Sequence, residues 1–74
     1  MESRIKKVIS NVFDIDVESI NNMTSPDNVE NWDSLKHMNL IVALEEEFEI
    51  EFDAQEIVDS MNYALIVSIV NERY

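Results

Sequence analysis

The sequence predicts an all-α protein, an antiparallel four-helix bundle with a long first loop and a short third helix. The 74 residues include no glycine and one proline, so the tight glycine turns of β-hairpins are missing. Three stretches repeat their apolar residues at helical spacing. Amphipathic helices of this kind bury their apolar stripes by packing side by side. The length fits a single domain over residues 1–74.

The first helix is predicted over residues 3–13. Its apolar residues follow the spacing i, i+3, i+4, i+7 and i+8, which places them on one stripe of a helix surface. Ser3 is placed to be the N-cap. The stripe consists of Ile5, Val8, Ile9, Val12 and Phe13.

A long loop is predicted over residues 14–32, where Pro26 lies among residue types that favour turns. A loop of this length with nothing to hold it is uncommon in a compact domain. We therefore expect Val17, Ile20 and Met23 to anchor it to the core.

The second helix is predicted from an N-cap at Asp33 to about Phe48. Its core row has the spacing i, i+4, i+8 and ends at Phe48. The helix carries more apolar residues than one stripe needs, and two interpretations stay open. Either the helix is buried on two sides, or a second apolar face is available to a ligand or partner. The additional apolar residues are Leu35, Met38, Ile41 and Val42.

Two shorter elements complete the bundle. Phe48, Ile50 and Phe52 alternate with glutamates, which predicts an extended connector because no second strand is available for pairing. Asp53 followed by Glu56 has the spacing of a capping box, which predicts a short third helix through residue 58.

The fourth helix is predicted to start near residue 59 or 60. Met61, Leu65 and Ile69 form one row of its surface at i+4 spacing, with Ile66 and Val70 beside them.

Charge and composition exclude several functions. Sixteen acidic residues against five basic ones give a net charge of -11, which disfavours nucleic acid and anionic membranes and favours basic protein partners. The absence of cysteine excludes disulfides, zinc sites built on thiolates, and thiol catalysis by the chain itself. There is no apolar run long enough to span a membrane and no secretory signal, so we expect a cytoplasmic protein.

Two possible chemical sites are weak. Asp14, Asp16 and Glu18 have EF-hand spacing, but serines take the sixth and twelfth positions, where the loop needs glycine and glutamate, so no metal site is predicted. Ser34 and His37 could touch on a helix, yet a strained nucleophile turn needs glycine. We therefore expect His37 to be an exposed helix residue and the protein not to be an enzyme.

The strongest motif is Trp-Asp-Ser-Leu at residues 32–35, followed by Ala-Leu-Glu-Glu-Glu-Phe at residues 43–48. In an acidic chain of this length, the combination resembles the acyl carrier protein family, and the resemblance extends over the whole chain. It implies that Ser34 is esterified by 4′-phosphopantetheine. The thiol of that arm would carry acyl groups as thioesters and deliver them to separate lipid, polyketide or related biosynthetic enzymes.

The chemistry at Ser34 agrees with this implication. A serine in the first turn of a helix lies beside unpaired backbone N–H groups and the positive end of the helix dipole, both of which favour a phosphodiester anion. An Asp33 cap would hold that turn in place. The arm would supply the thiol that the chain lacks.

The resemblance also implies partners: a phosphopantetheinyl transferase (holo-carrier synthase), an acyl-loading ligase or transferase, and a ketosynthase or other acyl-consuming enzyme. The protein itself is expected to be a monomer. The glutamates of the middle segment are either a solvated face or a steering surface for basic partners. Predicted recognition residues are Asp33, Leu35, Lys36, Met38, Val42, Glu45 and Glu46.

The sequence departs from primary fatty-acid carriers, which usually have acidic residues just after the serine motif and a small residue before it. Lys36, His37 and Asn39 follow the motif here, and Trp32 precedes it. These differences predict a specialised member with its own enzymes, and the ends at Met1 and Tyr74 lead us to expect a free-standing form. Two alternatives stay open: an aminoacyl or peptidyl carrier, and an acidic interaction module without a cofactor.

Overall fold

The computed structural model describes residues 2–74, and Met1 lies outside the described residues. It confirms the all-α four-helix fold, and there is no β-strand within this range. The elements are α1 (Glu2–Phe13), a 3-10 turn (Val17–Ser19), α2 (Ser34–Phe48), α3 (Ala54–Asp59) and α4 (Tyr63–Arg73).

Helix α1 begins one residue earlier than predicted, at Glu2. Ser3 therefore lies inside the first turn, and its prediction as N-cap is wrong, because a cap residue must have non-helical backbone. The predicted stripe is otherwise correct. Its buried members are Ile5, Val8, Ile9 and Phe13, with Val12 partly buried beside them.

Acidic residues take the left-handed backbone positions that end α1 and α2. Asp14 has φ 56° and Glu49 has φ 55°. The N–H of the next residue donates to the carbonyl five residues back in each case, from Ile15 to Ser10 and from Ile50 to Glu45. These positions usually hold glycine, which this chain lacks.

The loop before α2 is anchored by a different set of residues than predicted. Ile20 is buried as expected, but Val17 is exposed, and Met23 is 77% exposed. The Met23 N–H donates to the side chain of Asn21, and this tight turn directs Met23 outward. The other buried residues of the loop are Thr24, Val29 and Trp32.

Helix α2 has two apolar faces. One is buried in the core and contains the predicted row of Leu40, Leu44 and Phe48, together with Ile41. The other is exposed and consists of Leu35, Met38 and Val42. The structure thus decides between the two interpretations left open by the sequence, in favour of a second, accessible face.

Helix α3 has the predicted capping box. Glu56 N–H donates to the Asp53 side chain, and Asp53 N–H donates to the Glu56 side chain. The predicted start of α4 is wrong by about three residues, because Asn62 is the N-cap and accepts from the N–H of Leu65. Met61 therefore precedes the helix, and Leu65 is exposed. The buried stripe of α4 is Tyr63, Ile66, Ile69 and Val70.

We expect moderate salt to raise the melting temperature by several degrees. The net charge of -11 makes the compact state repel itself, and dissolved ions screen exposed charges. Differential scanning calorimetry in increasing sodium chloride would measure the rise. The double variant Glu46→Gln, Glu51→Gln should show a smaller rise, because both glutamates are exposed. A melting temperature that stays constant in salt would contradict the repulsion argument.

Candidate functional site

The candidate site is the first turn of α2. Ser34 is the first residue of the helix and is exposed to solvent. Asp33 precedes it in extended backbone, with φ -105° and ψ -176°, and its carboxylate accepts a 2.8 Å hydrogen bond from the N–H of Lys36. The Asp33 carbonyl accepts from the N–H of His37 at 2.8 Å. This confirms the predicted N-cap, which fixes the serine at the tip of a rigid helix.

The remaining backbone donors of this turn favour an anion beside Ser34. Asp33 occupies the N–H groups of Lys36 and His37. Those of Ser34 and Leu35 have no partner within the helix, because the first N–H groups of any helix lack one. The helix dipole adds a partial positive charge at this end, worth about 0.3–1 kcal/mol for an exposed anion.

His37 lies behind this turn and is buried, at 5% exposure. Trp32 Nε1–H donates to His37 Nδ1 at 3.1 Å, and His37 Nε2 is 2.8 Å from the carbonyl oxygen of Ile57. The Ser60 hydroxyl also donates to that carbonyl, at 3.1 Å. The expectation that His37 is an exposed helix residue is wrong, because Trp32 and α3 enclose it.

Trp32 joins the same turn to α1. Its ring packs on that of Phe13, with ring centroids 4.8 Å apart. From the sequence, Trp32 was a residue of the motif and a departure from a family pattern, and no contact was predicted for it. A buried indole N–H needs an acceptor, and the histidine five residues later was the signal that could have paired the two side chains. Together, these contacts connect the start of α2 to α1 and α3.

A groove of about 370 Å³ opens beside Ser34, between α2 and α3. Sequence reasoning missed three of its lining residues, Ile57, Val58 and Met61, because they come from α3 and from the segment before α4. Val58 and Met61 are exposed. The groove is lined by Ser34, His37, Met38, Ile57, Val58 and Met61.

The predicted recognition residues differ in how free their side chains are. Lys36 Nζ donates to the Val12 carbonyl at the end of α1, at 3.3 Å, so this cation is turned towards its own chain. A Glu45 carboxylate oxygen accepts from the N–H of Phe52 at 2.7 Å and holds the connector after α2. The other predicted residues are exposed: Asp33, Leu35, Met38, Val42 and Glu46.

Neither of the weaker chemical sites is supported by the geometry. Asp16 caps the 3-10 turn through the N–H of Glu18, at 3.0 Å. Across residues 2–74 no three histidine, cysteine or acidic side chains are grouped so as to hold a metal ion. Both ring nitrogens of His37 are occupied by Trp32 and Ile57, so His37 has no free nitrogen to act as a base on Ser34.

None of the helices in the described part of the chain is long and apolar enough to cross a membrane.

Comparison with known proteins finds a matching family and similar relatives. Residues 3–70 match the family model described as phosphopantetheine attachment site. The chain is 44% identical over 57 residues to the acyl carrier protein of Buchnera aphidicola subsp. Schizaphis graminum, which covers 76% of this chain and 71% of that protein. It is 46% identical over 56 residues to the acyl carrier protein of Buchnera aphidicola subsp. Acyrthosiphon pisum, with 76% and 70% covered.

A solved structure shares the fold. The solution NMR structure of holo acyl carrier protein from Geobacter metallireducens superposes with a TM-score of 0.87 at 32% sequence identity. The match covers 97% of this chain and 83% of that one.

Proposed function

The chain belongs to the acyl carrier protein family, and from that premise we propose that Ser34 is the attachment residue of its prosthetic group. The protein carries acyl intermediates and is not an enzyme. Its cofactor is covalently attached 4′-phosphopantetheine, which supplies the thiol that holds the acyl group as a thioester. We further propose that residues 1–74 act as one carrier domain.

One observation carries the assignment of Ser34: it is the exposed first residue of α2, placed directly after a capping aspartate and beside an apolar groove. In the attachment reaction the serine oxygen attacks the phosphorus that bears the pantetheine of coenzyme A. The hydroxyl proton is lost, the pyrophosphate bond breaks and adenosine 3′,5′-bisphosphate leaves, so the serine oxygen becomes the ester oxygen of a phosphodiester. The N–H groups of Ser34 and Leu35 would face that anion. Asp33 holds the turn in place without occupying those two donors.

The groove favours an acyl cargo over an aminoacyl or peptidyl one. An amino group would be expected to pair with a carboxylate, and no carboxylate lines the groove beside Ser34. The nitrogens of His37 are bonded to Trp32 and Ile57. The family match also disfavours the alternative of an interaction module without a cofactor.

Mass spectrometry tests the attachment site directly. The purified chain is incubated with coenzyme A and a phosphopantetheinyl transferase of broad specificity, and its intact mass should rise by one phosphopantetheine. Fragmentation should place the adduct on the peptide that contains Ser34. An adduct on another serine would overturn the assignment of Ser34.

Phosphopantetheinyl transferases and acyl-handling enzymes are the partners of the family. We propose that an acyl-loading ligase or transferase and a ketosynthase or other acyl-consuming enzyme dock on the exposed apolar face of α2. Leu35, Met38 and Val42 form that face, with the carboxylates of Asp33 and Glu46 available to basic partner side chains. Methionine adapts its shape to several partners, which suits a shared docking surface.

We expect Asn39→Glu to improve turnover of the acylated carrier by a ketosynthase of primary fatty-acid synthesis. Asn39 is exposed on α2, and an added carboxylate would meet the cationic surface of such an enzyme. One exposed charge pair contributes about 0.2–1 kcal/mol, so the gain in kcat/KM should be up to about fivefold.

The structure chooses position 39 rather than 36 for this experiment, because Lys36 holds the end of α1 and its replacement would also affect stability. Asn39→Gln is the matched control, and it should behave as the unmodified chain does. The gain should decrease in high salt, since ions screen exposed pairs. If the unmodified chain already equals a primary fatty-acid carrier in this assay, the prediction of a specialised carrier is wrong.

A further inference from the structure

The side chain of His37 crosses the gap between α2 and α3 beside Ser34. His37 Nε2 of α2 lies 2.8 Å from the carbonyl oxygen of Ile57 in α3, and both residues line the groove. His37 is almost completely buried, so water has little access to this bond. The imidazole therefore closes the groove on its inner side.

The neighbouring contacts favour one tautomer of the imidazole. Trp32 Nε1–H can only donate, so His37 Nδ1 accepts and carries no proton. The single ring proton is then on Nε2 and is donated to Ile57. The Ser60 hydroxyl, which has no exposed surface, donates to the same carbonyl oxygen. Donors and acceptors at the floor of the groove are thus matched to each other.

The side chains at the walls and at the floor of the groove differ in how easily they can change position. Met38, Val58 and Met61 are exposed or partly exposed, and the two methionines can change rotamer without losing a polar contact. The groove can deepen at its floor only when His37 separates from Ile57. That separation would leave the buried Nε2–H of His37 without its short hydrogen bond, which is unfavourable, whereas the Ile57 carbonyl would keep the bond from Ser60.

We propose that His37 is a specificity-determining residue that limits how much of an apolar acyl chain this carrier covers. The inference rests on the proposed attachment of the arm at Ser34. A short chain lies in the outer groove against Met38, Val58 and Met61. A longer chain cannot continue between α2 and α3 while His37 is bonded to Ile57, so its distal carbons stay in solvent or pass to a partner enzyme.

The experiment compares acyl chains of increasing length on the same carrier. The transferase loads Ser34 with acetyl, hexanoyl or decanoyl arms from the corresponding coenzyme A thioesters, and intact mass verifies one adduct per chain. Two quantities are then measured for each loaded form: the rate of thioester cleavage by hydroxylamine, and the melting temperature relative to the protein with a free thiol arm. Failure of loading would count against Ser34 as the attachment site, whereas the His37 inference is tested only on loaded protein.

In the unmodified chain, protection from hydroxylamine should stop increasing between hexanoyl and decanoyl. His37→Leu has an apolar side chain that cannot form the hydrogen bond to Ile57. In this variant, protection of the thioester should continue to increase from hexanoyl to decanoyl. The decanoyl form of His37→Leu should be cleaved at least about threefold more slowly than that of the unmodified chain. Such a ratio means that the thioester of the variant is uncovered about a third as often as that of the unmodified chain, because only the uncovered population reacts.

His37→Gln provides the matched control. Its side-chain amide can donate to the Ile57 carbonyl at the position of Nε2. Protection from hydroxylamine should therefore stop increasing between hexanoyl and decanoyl, as in the unmodified chain. A loss of stability alone would not produce a change that depends on chain length. If His37→Leu does not fold, His37→Asn replaces it, because its amide can accept from Trp32 but is too short to reach Ile57. Identical chain-length profiles for the bonded and unbonded variants would overturn the proposal.

Discussion

Ser34→Ala should abolish the attachment of phosphopantetheine. Intact mass spectrometry should detect no adduct under conditions in which the wild-type chain is modified completely. The expected loss is total because the serine oxygen is itself the ester atom, and alanine offers no nucleophile. The fold should be unaffected. Ser34 is exposed, and the cap of α2 is the neighbouring Asp33, so the change in unfolding free energy should stay within about 0.5 kcal/mol.

Ser68→Ala is the matched control, since Ser68 is also an exposed helical serine, in α4. Phosphopantetheine should be attached to that variant at the same rate as to the wild-type chain. Circular dichroism should give the same helix content for both variants. Attachment of phosphopantetheine to any other serine of Ser34→Ala would contradict the proposed site. A Ser68→Ala chain that accepts no phosphopantetheine would contradict it too.

The start of α2 could be predicted from the sequence because the signals that define it are local. An N-cap needs only a side-chain oxygen and the N–H groups two or three residues later, and Asp33 and Lys36 satisfy that need within one turn. The same holds for the capping box of Asp53 and Glu56. Both predictions are confirmed, and with them the position of Ser34 at the tip of a helix.

The surroundings of the serine could not be predicted, because they depend on contacts between distant residues. His37 is buried only because Ile57, twenty positions later, brings its carbonyl oxygen within hydrogen-bonding distance. Periodicity placed His37 on a helix but gave no information about that partner. Lys36 and Glu45 were predicted as recognition residues, yet the side chain of each is hydrogen-bonded to backbone outside α2, which a local pattern could not indicate.

The start of α4 illustrates competition among equivalent signals. Asp59, Ser60 and Asn62 are all good N-cap residues, and the sequence pattern favoured the first two. Asn62 is the cap, because Ser60 is fully buried and its hydroxyl is bonded to Ile57. The error has a functional consequence, since Met61 is thereby released from the helix and lines the groove beside Ser34.

The two faces of α2 should respond in opposite ways to the same truncation, leucine to alanine. Leu40 has no exposed surface, whereas Leu35 is 73% exposed. Leu40→Ala should lower the unfolding free energy by about 2–5 kcal/mol, through lost burial and the cavity left behind. A domain of this size has a total of only about 4–11 kcal/mol. The melting temperature of Leu40→Ala should therefore fall by more than about 10 °C.

Leu35→Ala should change the unfolding free energy by no more than about 0.5 kcal/mol, because little surface is buried there. Its effect should fall on partner enzymes instead. Truncation of a docking residue that costs about 1–2 kcal/mol lowers kcat/KM by about 5–30-fold. Urea unfolding and transferase kinetics on the same two variants would separate stability from recognition. If Leu35→Ala keeps full kcat/KM with its transferase and acyl-consuming enzymes, Leu35 is not part of the docking surface. If Leu40→Ala is as stable as the wild-type chain, the assignment of the buried face is wrong.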